Sequence, residues 1–170
     1  MAKFDSYKIG VNSELLQLES FYENRVLATF FAQQATRTLD IASRLLDPPI
    51  FNSSEFIEAV RYFVTKNRMP KVRIIVHDPP TIVKLGHRLV DLAGDLSSLI
   101  EIRKAGHEHK YYSECLLVAD DMAFLHRLNG ERSEATANFN DRRQSKYYLD
   151  EFNKMWDASV TDPNLRRINL

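Results

Sequence analysis

The chain has 170 residues with 23 Lys+Arg against 23 Asp+Glu, so bulk charge does not draw it to nucleic acid or to an anionic membrane. A hydrophobic share of 44% beside 27% charged residues is that of an ordinary globular domain with a real core. Cys115 is the single cysteine, which excludes an intrachain disulfide and a cysteine-built zinc cluster and suits a reducing cytoplasm. No run approaches the ~18 apolar residues of a membrane span and no apolar stretch follows the start, so a cytoplasmic location without a secretory leader is expected.

Residues 21–36, FYENRVLATFFAQQAT, place Val26, Leu27, Phe30 and Phe31 on one helical stripe. RTLDIAS, 37–43, then alternates, with Leu39 and Ile41 on one face, and reads as a strand. LDPPIFN, 46–52, reads as a turn carrying two prolines. A helix is expected from near Ser53, with Asn52 and Glu55 at capping-box spacing and Phe56, Ile57, Val60, Phe63 and Val64 as its buried stripe. KVRIIVH, 71–77, is a strand with Val72, Ile74 and Val76 on one face. DPP, 78–80, opens one further helix whose apolar face is Ile82, Leu85, Leu89, Leu92 and Leu96.

LIEIR, 99–103, is a short strand with Ile100 and Ile102 inward. CLLVA, 115–119, is continuously apolar, as in a central strand covered on both faces. MAFLHR, 122–127, pairs with it across an Asp120-Asp121 turn, and Asn129-Gly130 is a second turn signal before a strand around 134–138. The last helix starts at Asp141, with Gln144 at capping-box spacing and Tyr148, Leu149, Phe152, Met155 and Trp156 on its core face. Residues 1–20 read as an N-terminal extension, 21–158 as the core and 159–170 as a polar tail of one domain. Alternating helix and strand in the first half requires crossovers, and hairpins in the second make the sheet mixed. The expected fold class is therefore α/β, a mixed β-sheet flanked by helices on both faces.

Residues 113–141, SECLLVADDMAFLHRLNGERSEATANFND, resemble one half-site of the phospholipase D superfamily. That family's signature is His-x-Lys, an Asp five positions after the Lys, then a short strand and a Gly-Ser-x-Asn turn. The resemblance implies that the His attacks phosphorus, the Lys and Asn hold phosphate oxygens, and the Asp orients the His of the partner half. In this register Ser113 stands at the His and Cys115 at the Lys, while Asp120 matches the Asp. Ala135, Thr136 and Asn138 stand at the Gly, Ser and Asn, Phe139 matches the Phe that often follows, and FNKMWDAS resembles the closing Phe…Trp. The segment from Asp120 to Ala135 is longer than the family pattern. The resemblance covers most of residues 25–158 as architecture and implies a phospholipase D-like single domain with a degenerate motif. The whole chain is also similar to an uncharacterised bacterial domain sometimes attached to GNAT-type acetyltransferases.

The residues themselves agree on the loss. Ser113 has no basic nitrogen, no ammonium stands at position 115, and Cys115 reads as a small core residue rather than a thiolate. His107 and His109 in AGHEHKYY, 105–112, have the i, i+2 spacing of two metal ligands on a strand but lack a visible third, so a polar loop is the plainer reading. His109 and Lys110 could alternatively replace the lost groups from a shifted register. Arg127 suits bidentate anion binding, against a solvated strand end. Asn138 and Asn140 flank Phe139 before a helix N-terminus, which suits either an anion or turn and cap chemistry. HDPP, 77–80, reads as a strand end and helix start. Arg61, Lys66, Arg68, Lys71 and Arg73 form a basic cluster, either a solvated face or a salt-sensitive contact to phosphate backbone.

The leading expectation is a non-catalytic module with a vestigial phosphodiester site, binding an anionic ligand or a protein partner through His109, Lys110, Asp120, Arg127, Asn138 and Asn140. No catalytic residue, metal or cofactor is expected, and neither nucleic acid nor membrane is the expected partner. The alternatives are a phosphodiesterase or nuclease rearranged around His109 and Lys110, or a weak nucleic-acid-binding module using the basic cluster. The family's facing half-sites, with 10 Phe and 7 Tyr in the chain, lead to the expectation of a two-fold dimer with the 105–140 region near its axis.

Overall fold

The computed structural model describes residues 4–165. Strand β5 (Cys115–Ala119) shows how the fold divides its apolar side chains, because all five of its residues are buried. Their alternation sends Cys115, Leu117 and Ala119 into one core and Leu116 and Val118 into another on the opposite face of the sheet. Its neighbours follow the same period: Leu39 and Ile41 of β2 (Thr38–Ala42) and Val72, Ile74 and Val76 of β3 (Lys71–Val76) face the first core, whereas Ala42 and Ile75 face the second.

The strands are completed by β1 (Leu16–Leu18), β4 (Ile100–Lys104), β6 (Ala123–Arg127) and β7 (Ala135–Asn138). Among the described residues they form one mixed sheet in the order β1-β7-β6-β5-β2-β3-β4. Strands β2, β3 and β4 run parallel, and β5 is antiparallel to β2. The β5–β6 hairpin turns on Asp120 and Asp121, both left-handed at φ 54° and 61°, a conformation Asp tolerates better than most residues. The larger core lies beneath α1 (Phe21–Gln34), α3 (Ser54–Lys66) and α5 (Arg88–Asp95); the smaller is covered by Leu149, Phe152, Met155 and Trp156 of α6 (Arg142–Ala158). The α/β fold with helices on both faces is as expected.

Several local expectations change. Residues before 21 are more than an extension: Leu16 and Leu18 add the edge strand β1 to β7, and Phe4 is 1% exposed. The 46–52 turn contains a short helix, α2 (Pro48–Phe51), begun by the prolines that fit a first turn. Helix α3 is capped by the Ser53 hydroxyl, which accepts from Phe56 N, while the Asn52 side chain accepts from Arg88 N instead. The single helix expected from 78 is two, α4 (Pro79–Leu85) and α5. Gly86 breaks it at φ 78°, which only glycine adopts without strain, and Leu85 is 74% exposed rather than core. Asp141 accepts from Gln144 N, but its own N–H goes to the Met122 carbonyl, so only half of the expected capping box forms. In the tail, Val160 bridges to Lys104 and Leu165 is buried; residues 166–170 of the expected tail lie outside the described residues.

Candidate functional site

Parallel strands β2, β3 and β4 all end on one edge of the sheet, and side chains in the loops leaving them converge there, the usual ligand edge of an open α/β sheet. Ser43 and Arg44 follow β2, His77 follows β3, and Ala105 and Gly106 follow β4. The start of antiparallel β5 and the end of β6 reach the same edge. Two cavities open there. The larger, of about 640 Å³, is lined by Ser43, Arg44, Asp47, Ser113, Glu114 and Cys115 with the Leu128–Glu131 loop. The smaller, of about 380 Å³, is lined by Arg44, His77, Lys104, Gly106, His107 and Lys110. Arg44 and Lys110 line both. Arg44 is fixed by donating from Nη1 to the Lys110 and Tyr112 carbonyls at 3.1 and 2.8 Å.

Ser113 and Cys115 both line the larger cavity. Burial pushes the Cys115 thiol up to about 12, against the opposing pull of Arg127, so it stays protonated. Behind it lies Arg127, the residue paired with Cys115 across the β5–β6 ladder. Arg127 is no solvated strand end. It is 0% exposed, ion-paired with Asp47, and bonded through Nη2 to the Gly130 carbonyl at 3.1 Å and through Nη1 to Asn24 Oδ1 at 3.4 Å. Its charge is spent inside the protein. His126 is also buried; its Nε2 lies 2.6 Å from Glu114 and its ring stacks on Tyr148, on the α6 face.

Asp120 lies just beyond the far end of β5, about 16 Å from Cys115 at the rise of an extended strand. Its carboxylate accepts from the backbone N–H groups of Thr36, Arg37 and Thr38 at 2.7–3.0 Å, which ties the entry of β2 to the hairpin. Asn138 and Asn140 are at that far end too, since Asn138 pairs with Phe124 near the Asp turn. The Asn138 amide donates to the Ser13 carbonyl and accepts from Asn140 N, which is turn chemistry. The segment that returns to Ser113 is instead 128–130. Gly130 N donates to the Ser113 carbonyl at 2.8 Å, and a Cβ on Gly130 would lie 2.9 Å from that same oxygen, so the approach needs glycine. The register that put Ala135, Thr136 and Asn138 at the motif's closing element does not bring them to the cavity.

The 105–112 segment is neither strand nor open loop, since residues His107–His109 form a single 3-10 turn. No cluster of three potential metal ligands occurs among the described residues. His109 gives its carbonyl to His77 Nε2 at 3.0 Å, and its own Nδ1 is buried without a partner among the described residues, while Lys110 is exposed and lines both cavities. Burial holds the His77 imidazole below the ordinary histidine pKa, partly offset by that hydrogen bond. The basic cluster disperses: Arg73 pairs with the buried Asp40 at 2.7 Å beneath α6, and Arg61 faces Glu58 at 3.7 Å. Residues His77, Lys104 and His107 were not grouped by sequence; their only shared signal is a place just after, or at the end of, successive parallel strands.

The fold is that of phospholipase D proteins. Nuc, a phospholipase D family member from Salmonella typhimurium, superposes with TM-score 0.64 at 13% identity over 91% of this chain and 100% of its own. NucT from Helicobacter pylori gives 0.61 at 15% identity over 88% and 100%. TrmBL2, an archaeal chromatin protein with a novel mode of DNA binding, gives 0.64 at 14% identity over 95% of this chain and 58% of its own, so the chain spans little more than half of that protein. Among the described residues no helix is long and apolar enough to cross a membrane. No curated protein matches the chain. A family model, a domain of unknown function (DUF7931), matches residues 22–168, and the chain belongs to that family.

Proposed function

We propose that the chain is a phospholipase D-like module that binds an anionic ligand at the cleft described above and does not cleave phosphodiesters. The observation that carries this reading is the pairing of an unreactive motif position with a cationic wall. In the register of the motif resemblance Ser113 and the protonated Cys115 take the places of the nucleophile and the phosphate-holding ammonium, yet Arg44, Lys104 and Lys110 converge one cavity over, with no carboxylate among the described residues that line it. Of the residues expected to bind, this reading keeps Lys110 and, from beneath, the already paired Arg127, and leaves out Asp120, Asn138 and Asn140, which lie at the opposite end of the strands. His109 lends only its carbonyl, which speaks against a nuclease rearranged around its ring.

The DNA binding of the archaeal chromatin protein favours a second reading, contact with nucleic acid. Against it, Arg61 and Arg73 of the basic cluster already have carboxylate partners, and a shared fold does not carry function by itself. A homodimer through the 105–140 face would set two such clefts side by side.

Two measurements test the proposal together. Bis(4-nitrophenyl) phosphate is expected to show no turnover above buffer. Inorganic pyrophosphate, followed by 31P NMR, is expected to bind and to lose affinity in Arg44→Gln and Lys110→Gln. Hydrolysis that vanishes in His109→Ala would restore the nuclease alternative, and absence of any anion binding would remove the cleft as a site.

A further inference from the structure

Single apolar side chains on a surface need no explanation, but several converging on one cavity do. Leu45, Tyr111 and Leu128 are 40%, 84% and 77% exposed, and all three line the larger cavity. Between them stand polar groups with spare bonding capacity. The Asn129 side-chain oxygen accepts from Glu131 N, which leaves its amide nitrogen free among the described residues, and Glu131 and Ser113 line the same cavity. The larger cavity thus offers an aromatic face and two aliphatic walls together with a donor and acceptors. The smaller offers Lys104 and the imidazoles of His77 and His107, and Arg44 and Lys110 stand at the junction.

We propose that the anion bound at this edge is a nucleoside phosphate. This rests on the anion-binding reading above and specifies its ligand. The phosphate sits in the smaller cavity against Lys104, Arg44 and Lys110, and the base lies on Tyr111 between Leu45 and Leu128. Asn129, Glu131 and Ser113 meet the base edge, and Glu131 selects a base that carries an amino group. An alkyl phosphate would bury those three polar groups without partners, which is costly. A sugar phosphate would leave Tyr111 and Leu128 exposed. A nucleotide satisfies both sets, and the two cavities fall within the usual range for a small ligand. Lys110 lies 5.0 Å above the Tyr111 ring on one side, and the ring's exposure leaves another side for stacking.

The test is calorimetric titration of the full chain with adenosine 5′-phosphate, ribose 5-phosphate, adenosine, and short DNA oligonucleotides with and without a 5′-phosphate. Adenosine 5′-phosphate is expected to bind roughly 5- to 150-fold tighter than ribose 5-phosphate, the range a base stacked on an aromatic ring supplies. Tyr111→Ala, a change at an exposed position, should bring the ratio of the two affinities close to one; the ratio is the readout because Lys110, which holds the phosphate, also packs on this ring. Lys104→Gln should weaken both. Equal affinity for the two phosphates overturns the nucleotide proposal while leaving the anion site intact. Failure of both to bind overturns the site itself. Binding of the 5′-phosphorylated oligonucleotide but not of adenosine 5′-phosphate overturns the free nucleotide in favour of a strand end.

Discussion

The Asp47–Arg127 ion pair is the most consequential contact in the cleft, and its removal has a calculable cost. Arg127 is wholly buried, with the guanidinium also stacked 5.5 Å from Phe21 and its Nε without a partner among the described residues. Asp47 is the only carboxylate paired with it among the described residues, and that side chain, which lines the cavity, is 24% exposed. Asp47→Asn keeps the shape and removes the charge. Breaking a buried pair on one side costs about 3–5 kcal/mol, because the remaining charge is left uncompensated. The variant also weakens the 3.3 Å bond from Ser43 to the carboxylate, worth about 0.5–1.5 kcal/mol. Water entering from the adjoining 640 Å³ cavity solvates part of the guanidinium, which favours the low end of the range. We expect a loss of about 3 kcal/mol, a large share of the ~5–15 kcal/mol that holds a typical domain.

Urea unfolding at pH 7, followed by circular dichroism, measures this directly. Arg127→Met should cost less, since Asp47 can turn to the cavity, and the double variant should recover much of the Asp47→Asn loss. A loss below about 1 kcal/mol in Asp47→Asn, the level of an exposed pair, would refute the burial argument. Additive single losses in the double variant would do the same, because they deny the coupling.

Two further outcomes are expected. Cys115, fully buried and held protonated, should resist iodoacetamide at pH 8 in the native chain and react completely in urea; native alkylation at the rate of a free thiol would show that the β5 entrance opens. His87 and His77 both have pKa values lowered by burial, so above the ordinary value of 6.5 they cost nothing, and below it the unfolded chain takes up protons that the folded chain refuses. Melting temperature should therefore fall between pH 7 and 5.5, and the fall should be shallower in His87→Gln; a flat or rising profile would contradict it.

Much of the fold was legible because one period ran without conflict. In β2 and β3 apolar residues recur at every second position and β5 is apolar throughout, and turn residues or prolines follow each strand, so their identity needed no tertiary information. Strand β1 was not legible: Leu-Gln-Leu is too short to show a period, and it exists because β7, more than a hundred residues on, offers an edge. The break at Gly86 was visible in principle, since a glycine followed by a capping side chain marks a helix junction. His87 accepts from Leu89 N in that role, but the apolar spacing ran across it. Burial of Arg127 could not be read locally, because the partner that makes it tolerable is eighty positions away. The cleft failed to register for the same reason: its residues come from separate strand ends and have no common spacing.

The motif resemblance also separates two kinds of residue by what each is bonded to. Asp120 fits the expected position and is fully engaged by three backbone N–H groups, so its role in this chain is to join β2 to the β5–β6 turn whatever happens at the other end of the strand. At that other end a positive charge is still present beside position 115, but it is carried by Arg127 on the adjacent strand and neutralised by Asp47. A phosphate oxygen approaching the floor of the larger cavity would therefore meet a carboxylate before it met a guanidinium. The cations not already taken, Lys104 and Lys110 with the outer face of Arg44, lie toward the smaller cavity. On the proposed reading, these electrostatics direct an anion away from Ser113 and Cys115, which favours binding without cleavage over a weakened form of the same chemistry.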